Sequence, residues 1–156
     1  MKKLNKNNKG FSLVELLVVI AIMVVLVGVI APTLLGNIEK SREARDIQSL
    51  DSIAAAIQSS FAVEEAYDVA TSSTYDNTVV AVGNLYAAKD KFAAAVKDTL
   101  KTEPAMTGKT AKDTANDTYF IITEGSITVF VAPTADHGSA DKAITGSKGT
   151  VYKVTR

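Results

Sequence analysis

The chain contains no cysteine, which removes disulfides, zinc ribbons and thiol chemistry together. Histidine is nearly as scarce. His137 is the only one, so a catalytic triad would have to use it, and Asp136-His137 sits in a Gly/Ser-rich stretch that reads as surface loop. There is no Gly-x-Ser-x-Gly nucleophile turn and no glycine-rich phosphate loop. No concentrated basic patch with interleaved aromatics occurs after the first ten residues, so a direct nucleic-acid site on one isolated chain is not indicated. Repetition along a polymer could still create such binding. Net charge is also missing, with 17 basic against 17 acidic residues, but that balance misleads. Four of the lysines, Lys2, Lys3, Lys6 and Lys9, fall in the first ten residues; a product beginning at Phe11 carries 13 basic residues and a net charge of −4.

What the sequence does have is Lys9-Gly10-Phe11-Ser12-Leu13-Val14-Glu15 followed by an apolar run from Leu16 to Ala31. From Phe11 to Ala31 only Ser12 and Glu15 are polar, and as a helix these 21 residues would be about 31 Å long, close to a bilayer's hydrocarbon thickness. The stretch reads as a membrane-spanning helix, with the preceding lysines holding the leader on the cytoplasmic side. Glu15 is the anomaly, because an ionised carboxylate in hydrocarbon costs roughly 3 kcal/mol or more without a partner. An ordinary secretory signal differs: its core is shorter and is cut at its far end, where Val29-Ile30-Ala31 is followed by Pro32, a poor context for cleavage.

Over Lys9 to about Pro32 the chain resembles the type IV pilins and pseudopilins, with a leader of the class III, type IVa-like kind. The resemblance implies that a prepilin peptidase cuts between Gly10 and Phe11 and methylates the new amino terminus at Phe11. It gives the Glu15 carboxylate the role of meeting the amino group of a neighbouring subunit's first residue, and opposite charges in a low dielectric do relieve one another's desolvation. It implies a non-enzymatic subunit that waits in the cytoplasmic membrane and then joins a homopolymer, the pilus or fimbrium, at the cell surface. A membrane platform protein and an assembly ATPase would be its further partners, and no cofactor is implied. Such fibres serve adhesion, twitching motility, biofilm formation, DNA uptake or protein secretion. The missing cysteine departs from the many pilins whose last loop is closed by a disulfide. Two alternatives stay open: a secretion pseudopilin or minor pilin, and a membrane-anchored extracellular binding domain that never polymerises.

Taken in order, the chain reads as α+β: residues 1–10 leader, 11–32 the membrane and polymerisation half of a long helix, 33–63 its amphipathic half, and 64–156 a globular head with a small antiparallel sheet. Gly28 and Pro32 are four apart, so the proline removes the amide that would bond the Gly28 carbonyl, and the resemblance implies a kink or melting there. Beyond it Leu34, Leu35, Ile38, Ile47, Leu50, Ile53, Ala54, Ile57 and Phe61 form one apolar stripe. The mixed charges at 39–46, with Arg42 and Asp46 at i,i+4 spacing, read as a solvated, self-paired face in an isolated subunit and as a surface that meets neighbouring subunits in a filament. Residues 66–77 read as an exposed connection. Residues 78–82 could form a short strand, and Asn84 a cap for a helix to about Lys101, stopped by Pro104. Strands are expected over 118–123 and 126–132, joined by a tight turn at Glu124-Gly125, and over 150–155, with Val151 and Val154 among the apolar residues of the last. We expect that last strand to do the work of the missing disulfide.

Calcium is a possibility some pseudopilins raise, with Asp136 and Asp141 in one loop and Asp113, Asn116 and Asp117 in another. Neither loop reproduces the twelve-residue calcium pattern, and no metal site is assigned. Asn116-Asp117-Thr118 matches a glycosylation triplet that a strand-initiating turn explains as well.

Overall fold

The computed structural model describes residues 10–156, so the leader lysines lie outside the described residues. The chain divides into two compact units, 1–37 and 38–156. Helix α1, Leu13–Ser60, begins in the first and ends in the second. Within the first unit α1 is apolar all round, the one helix among the described residues long and apolar enough to cross a membrane, and none of the residues of that stretch is buried. Its large side chains from Leu13 to Ile30 are all exposed. Each would gain about 1.5–3 kcal/mol from leaving water, so lipid or other chains must cover them. The helix is assigned without a break through Gly28 and Pro32.

The second unit is an α+β layer built on the amphipathic part of α1. After α1 come α2 (Glu64–Ala70), β1 (Val80–Ala81), α3 (Val82–Ala87), α4 (Lys91–Thr99), β2 (Asn116–Thr123), β3 (Ser126–Pro133), a 3-10 turn at Ala140–Lys142, and β4 (Lys153–Thr155). The four strands form one antiparallel sheet in chain order. Leu50, Ile53 and Ile57 of α1 share a core with Phe120 and Ile122 of β2 and with Ile127, Val129 and Val131 of β3. Phe92 of α4 and Tyr75 add an aromatic contact at 4.8 Å between ring centroids. The β2–β3 turn has Glu124 at φ 50° and Gly125 at φ 82°. Both central residues are left-handed, as a two-residue hairpin demands, and the glycine carries the more extreme angle without strain. On the sheet's other face Tyr119, Phe130 and Ala132 form a smaller cluster.

Several local expectations differ from what is observed. Part of the stretch read as an exposed connection folds as α2, because Ala66 and Ala70, four apart, supply just enough of an apolar edge to be buried. The helix expected over about 84–101 is two helices. Asn84 lies inside α3 rather than capping it, whereas Asp90 caps α4 by accepting from the Ala93 amide at 2.7 Å. A good cap inside an alanine-rich run restarts the helix, since its carboxylate satisfies an amide that a continuous helix would use internally. The strand at 78–82 shrinks to β1, and its Val82 opens α3. The register of the final strand with β3 spans Lys153–Thr155, with backbone bonds continuing between Tyr152 and Val131 and between Arg156 and Ile127; its anchor is Tyr152, fully buried, while Val151 is half exposed. The pairing of Arg42 with Asp46 does not form: Arg42 meets Glu39 at 3.4 Å, and Asp46 is buried.

Candidate functional site

Gly10, Phe11 and Ser12 precede the first turn of α1, outside helix and sheet, and all three are exposed. The Gly10–Phe11 bond therefore lies in accessible backbone, without a side chain on one side and with an 88% exposed phenylalanine on the other. Three residues on, the helix opens with a reciprocal cap. The Ser12 hydroxyl accepts from the Val14 amide at 3.3 Å, and the Ser12 amide donates to Glu15 Oε2 at 2.9 Å. Two of the four amides that every helix start leaves unpaired are thus satisfied by side chains. Glu15 is not stranded in the single chain. It has a donor on its own backbone and lies at the positive end of the helix dipole. The Ser-x-x-Glu spacing of Ser12 and Glu15 announces this cap in the sequence, a signal overshadowed there by the cost of a carboxylate in hydrocarbon.

A second polar constellation lies on α1 at Glu39, Glu43 and Asp46, spaced so that all three share one helix face. Glu39 Oε1 accepts from the Lys109 amide. Asp46 accepts from the Thr107 amide (2.7 Å), the Thr107 hydroxyl (2.8 Å) and the Gly108 amide (2.7 Å). Glu43 Oε1 accepts from the Ser147 hydroxyl at 3.1 Å and the Lys148 amide at 3.0 Å. The Glu43 side chain is completely covered but shallow, beneath the loops that carry Gly108 and Gly146. Desolvation pushes its carboxyl upward, yet the donors from Thr150, Lys148 and Ser147 outweigh it and leave the group below its ordinary value. Tyr152 is pushed well above the ordinary tyrosine value by burial and then by the charges of Asp46, Glu43 and Glu39. Its hydroxyl and Glu43 Oε2 are buried without a partner of good hydrogen-bond geometry, although Asp46 and Thr150 are close enough to influence them. At the chain's end the Arg156 guanidinium forks onto Asp51 of α1 with two bonds of 2.8 Å. None of these tethers reads as catalytic. They fasten two loops and the last residue to one helix.

The other acidic candidates are spread among local tasks. Asp113 Oδ1 accepts from the Ala115 amide at 3.0 Å, and Asp117 Oδ1 from the Thr118 amide at 2.8 Å. Asp136 pairs with Lys142 at 2.9 Å, and Asp141 with Lys153 at 3.6 Å. Asn116 donates its amide nitrogen to the Thr110 carbonyl at 2.8 Å, holding the turn before β2. Among the described residues no three His, Asp or Glu side chains are grouped to hold a metal ion. His137 lies flat on Tyr119 with centroids 4.3 Å apart.

Residues 5–31 match the prokaryotic N-terminal methylation motif, the leader and helix start found in type IV pilins and pseudopilins. The match covers the Gly10–Phe11 junction, Ser12, Glu15 and Gly28, and stops one residue before Pro32. Comparison with curated proteins and with solved structures finds no match.

Proposed function

We propose that this chain is the precursor of a type IV filament subunit, cut after Gly10, methylated at Phe11 and assembled with other copies through the first part of α1. The observation that carries the reading is the methylation motif at residues 5–31 joined to a helix whose apolar first part is wholly uncovered in the single chain. A motif alone names a processing step. An uncovered apolar helix alone names an anchor. Together they favour a subunit that leaves lipid for contact with its own kind, so its work is assembly rather than catalysis.

Glu15 is the residue on which assembly would turn. In the single chain its carboxylate bonds the Ser12 amide, which keeps the charge satisfied while the helix sits in lipid. After cleavage the Phe11 nitrogen becomes a cation, and a neighbour's cation offers a stronger, charge-assisted partner than a neutral amide. Gly28 and Pro32 would supply the weak turn at which the helix bends or extends as subunits pack, since Pro32 has no amide for the Gly28 carbonyl.

The deciding experiment is amino-terminal sequencing with mass measurement of the membrane-extracted protein and of sheared surface material. A start at N-methylated Phe11 in both fractions is expected. An intact leader, or a start near Pro32, overturns the reading. Glu15→Ala should leave processing intact while sharply lowering the amount of subunit in filaments, and undiminished incorporation would remove Glu15 from the mechanism.

A further inference from the structure

Two exposed patches of the second unit lack partners among the described residues, and they are opposite in charge. The first lies on α1, where Ile38, Ser41, Arg42 and Arg45 line a shallow recess of about 220 Å3. Ile38 is 40% exposed there, and among the described residues Arg45 forms no ion pair and Arg42 has only the long contact to Glu39. The second lies on α2. Tyr67, which meets Phe61 edge-on at 5.7 Å between ring centroids, and the preceding Val63 are still nearly half exposed, and Glu64 and Asp68 stand exposed at i,i+4 on one face, while Glu65 is paired with Lys91 at 2.8 Å. Like charges at that spacing oppose a helix. The dipole favours Glu64 in the first turn but disfavours Asp68 near the carboxyl end, and among the described residues no ion pair offsets Asp68.

We propose that these are the two halves of one contact between copies: the α2 patch of one subunit, Tyr67 with Glu64 and Asp68, seats on the α1 recess of the next, opposite Arg42 and Arg45. This rests on the filament reading above and supplies it with a contact outside the apolar helix. Each half pairs an apolar group with a charge of one sign, which fixes register as well as partner, and a tyrosine ring against arginine adds cation–π attraction. The geometry also makes the contact directional. Arg45 is 15 residues from the end of α1 at Ser60, about 22 Å along the axis, and α2 begins just past that end. Chains anchored through one membrane run parallel, so the patches meet only if the second copy is shifted along the axis. A shifted contact between unlike patches does not close on itself and propagates as a helical filament.

The absence of native cysteine permits a clean test in the full-length protein expressed in cells. A chain carrying both Arg45→Cys and Asp68→Cys should, on oxidation of sheared filaments, give a ladder of dimers, trimers and higher species, while either single variant stays monomeric. Filaments that contain the doubly substituted chain but yield no ladder, or only dimers, overturn the contact and leave the filament reading standing. If the wild-type chain is found in no filament, both fail. Should the double variant not enter filaments, charge reversal decides: R45E or D68K alone should lower filament yield about tenfold, and R45E with D68K together should restore it. Failure of the pair to restore yield overturns the proposal.

Discussion

At the scale of single residues, the carboxylates of α1 carry the unusual chemistry; Glu15, Glu39, Glu43 and Asp46 accept from backbone amides, and Asp51 from the Arg156 guanidinium. Glu15 closes a capping box with Ser12, so Ser12→Ala should weaken the start of α1 by about 1 kcal/mol; amide exchange at residues 13–16 in detergent micelles would show faster opening there and no change past residue 38. Glu43 is held in its charged form against desolvation, and the sign of its pH effect follows. Unfolded, it titrates near its ordinary value of about 4.5, and folded it titrates lower. The stability it adds is therefore complete above the unfolded value and is lost as the pH falls through the folded one. Asp51, lowered by its bond with Arg156, acts in the same sense, whereas Glu103, raised by burial and by Asp117, acts in the opposite one. The informative quantity is thus a difference: the melting temperature of the unit from Ile38 onward should drop on acidification more steeply in wild type than in Glu43→Gln, with the two curves converging once the pH has fallen through the folded value. Gly146 belongs to the same arrangement. An added Cβ would come within 2.6 Å of Glu43 Cδ and Oε1, so Gly146→Ala should cost about 1–3 kcal/mol, measured by thermal melting at neutral pH.

At the scale of elements, legibility depended on whether a segment's conformation is decided locally. The apolar part of α1 was readable because a helix uncovered on every side needs no knowledge of the rest of the chain. The β2–β3 hairpin was readable for a similar reason: Glu124-Gly125 fixes the turn, and the turn fixes the register that sets Ile122 beside Ile127. The amphipathic stripe of Leu50, Ile53 and Ile57 was legible, but the polar face beside it was not. Glu43 and Asp46 have the spacing of a solvated charged face, and the donors that make them interior lie far along the chain, at Ser147–Lys148 and Thr107–Gly108 respectively.

 The separations are 104 residues from Glu43 to Ser147 and 61 from Asp46 to Thr107, so no local pattern could reveal them. The division of the expected 84–101 helix turned on Asp90, whose second oxygen also accepts from the Tyr75 hydroxyl at 2.6 Å. Asp90→Ala should therefore destabilise the second unit by about 1–2 kcal/mol. Asp90→Asn, which keeps a capping oxygen, should recover most of the loss in a denaturant melt, and equal losses for the two would refute the capping role.

At the scale of the whole molecule, the question is what holds the last segment in a chain that can form no disulfide. β4 contributes three register pairs, flanked by backbone bonds of Tyr152 and Arg156 to β3, a short strand that does not act alone. Three further devices act with it. Tyr152 is fully buried in the main core, Glu43 binds the 147–148 backbone from α1, and Arg156 forks onto Asp51 of the same helix. These contacts differ in kind, and substitution and truncation can separate them. Arg156→Met deletes only an exposed ion pair, whose worth is small and screened by salt, and keeps the backbone bonds between residue 156 and Ile127. Its loss should lower the melting temperature of the 38–156 unit slightly at low ionic strength and not measurably at high salt. Removing residues 150–156 also empties the Tyr152 site, and losing a buried aromatic ring costs about 3–5 kcal/mol, a large share of what a small domain possesses. Tyr152→Ala in the intact chain should reproduce most of that loss, because the ring rather than the strand is the principal anchor. If Tyr152→Ala melts close to wild type while the truncation does not, then strand pairing carries the closure after all.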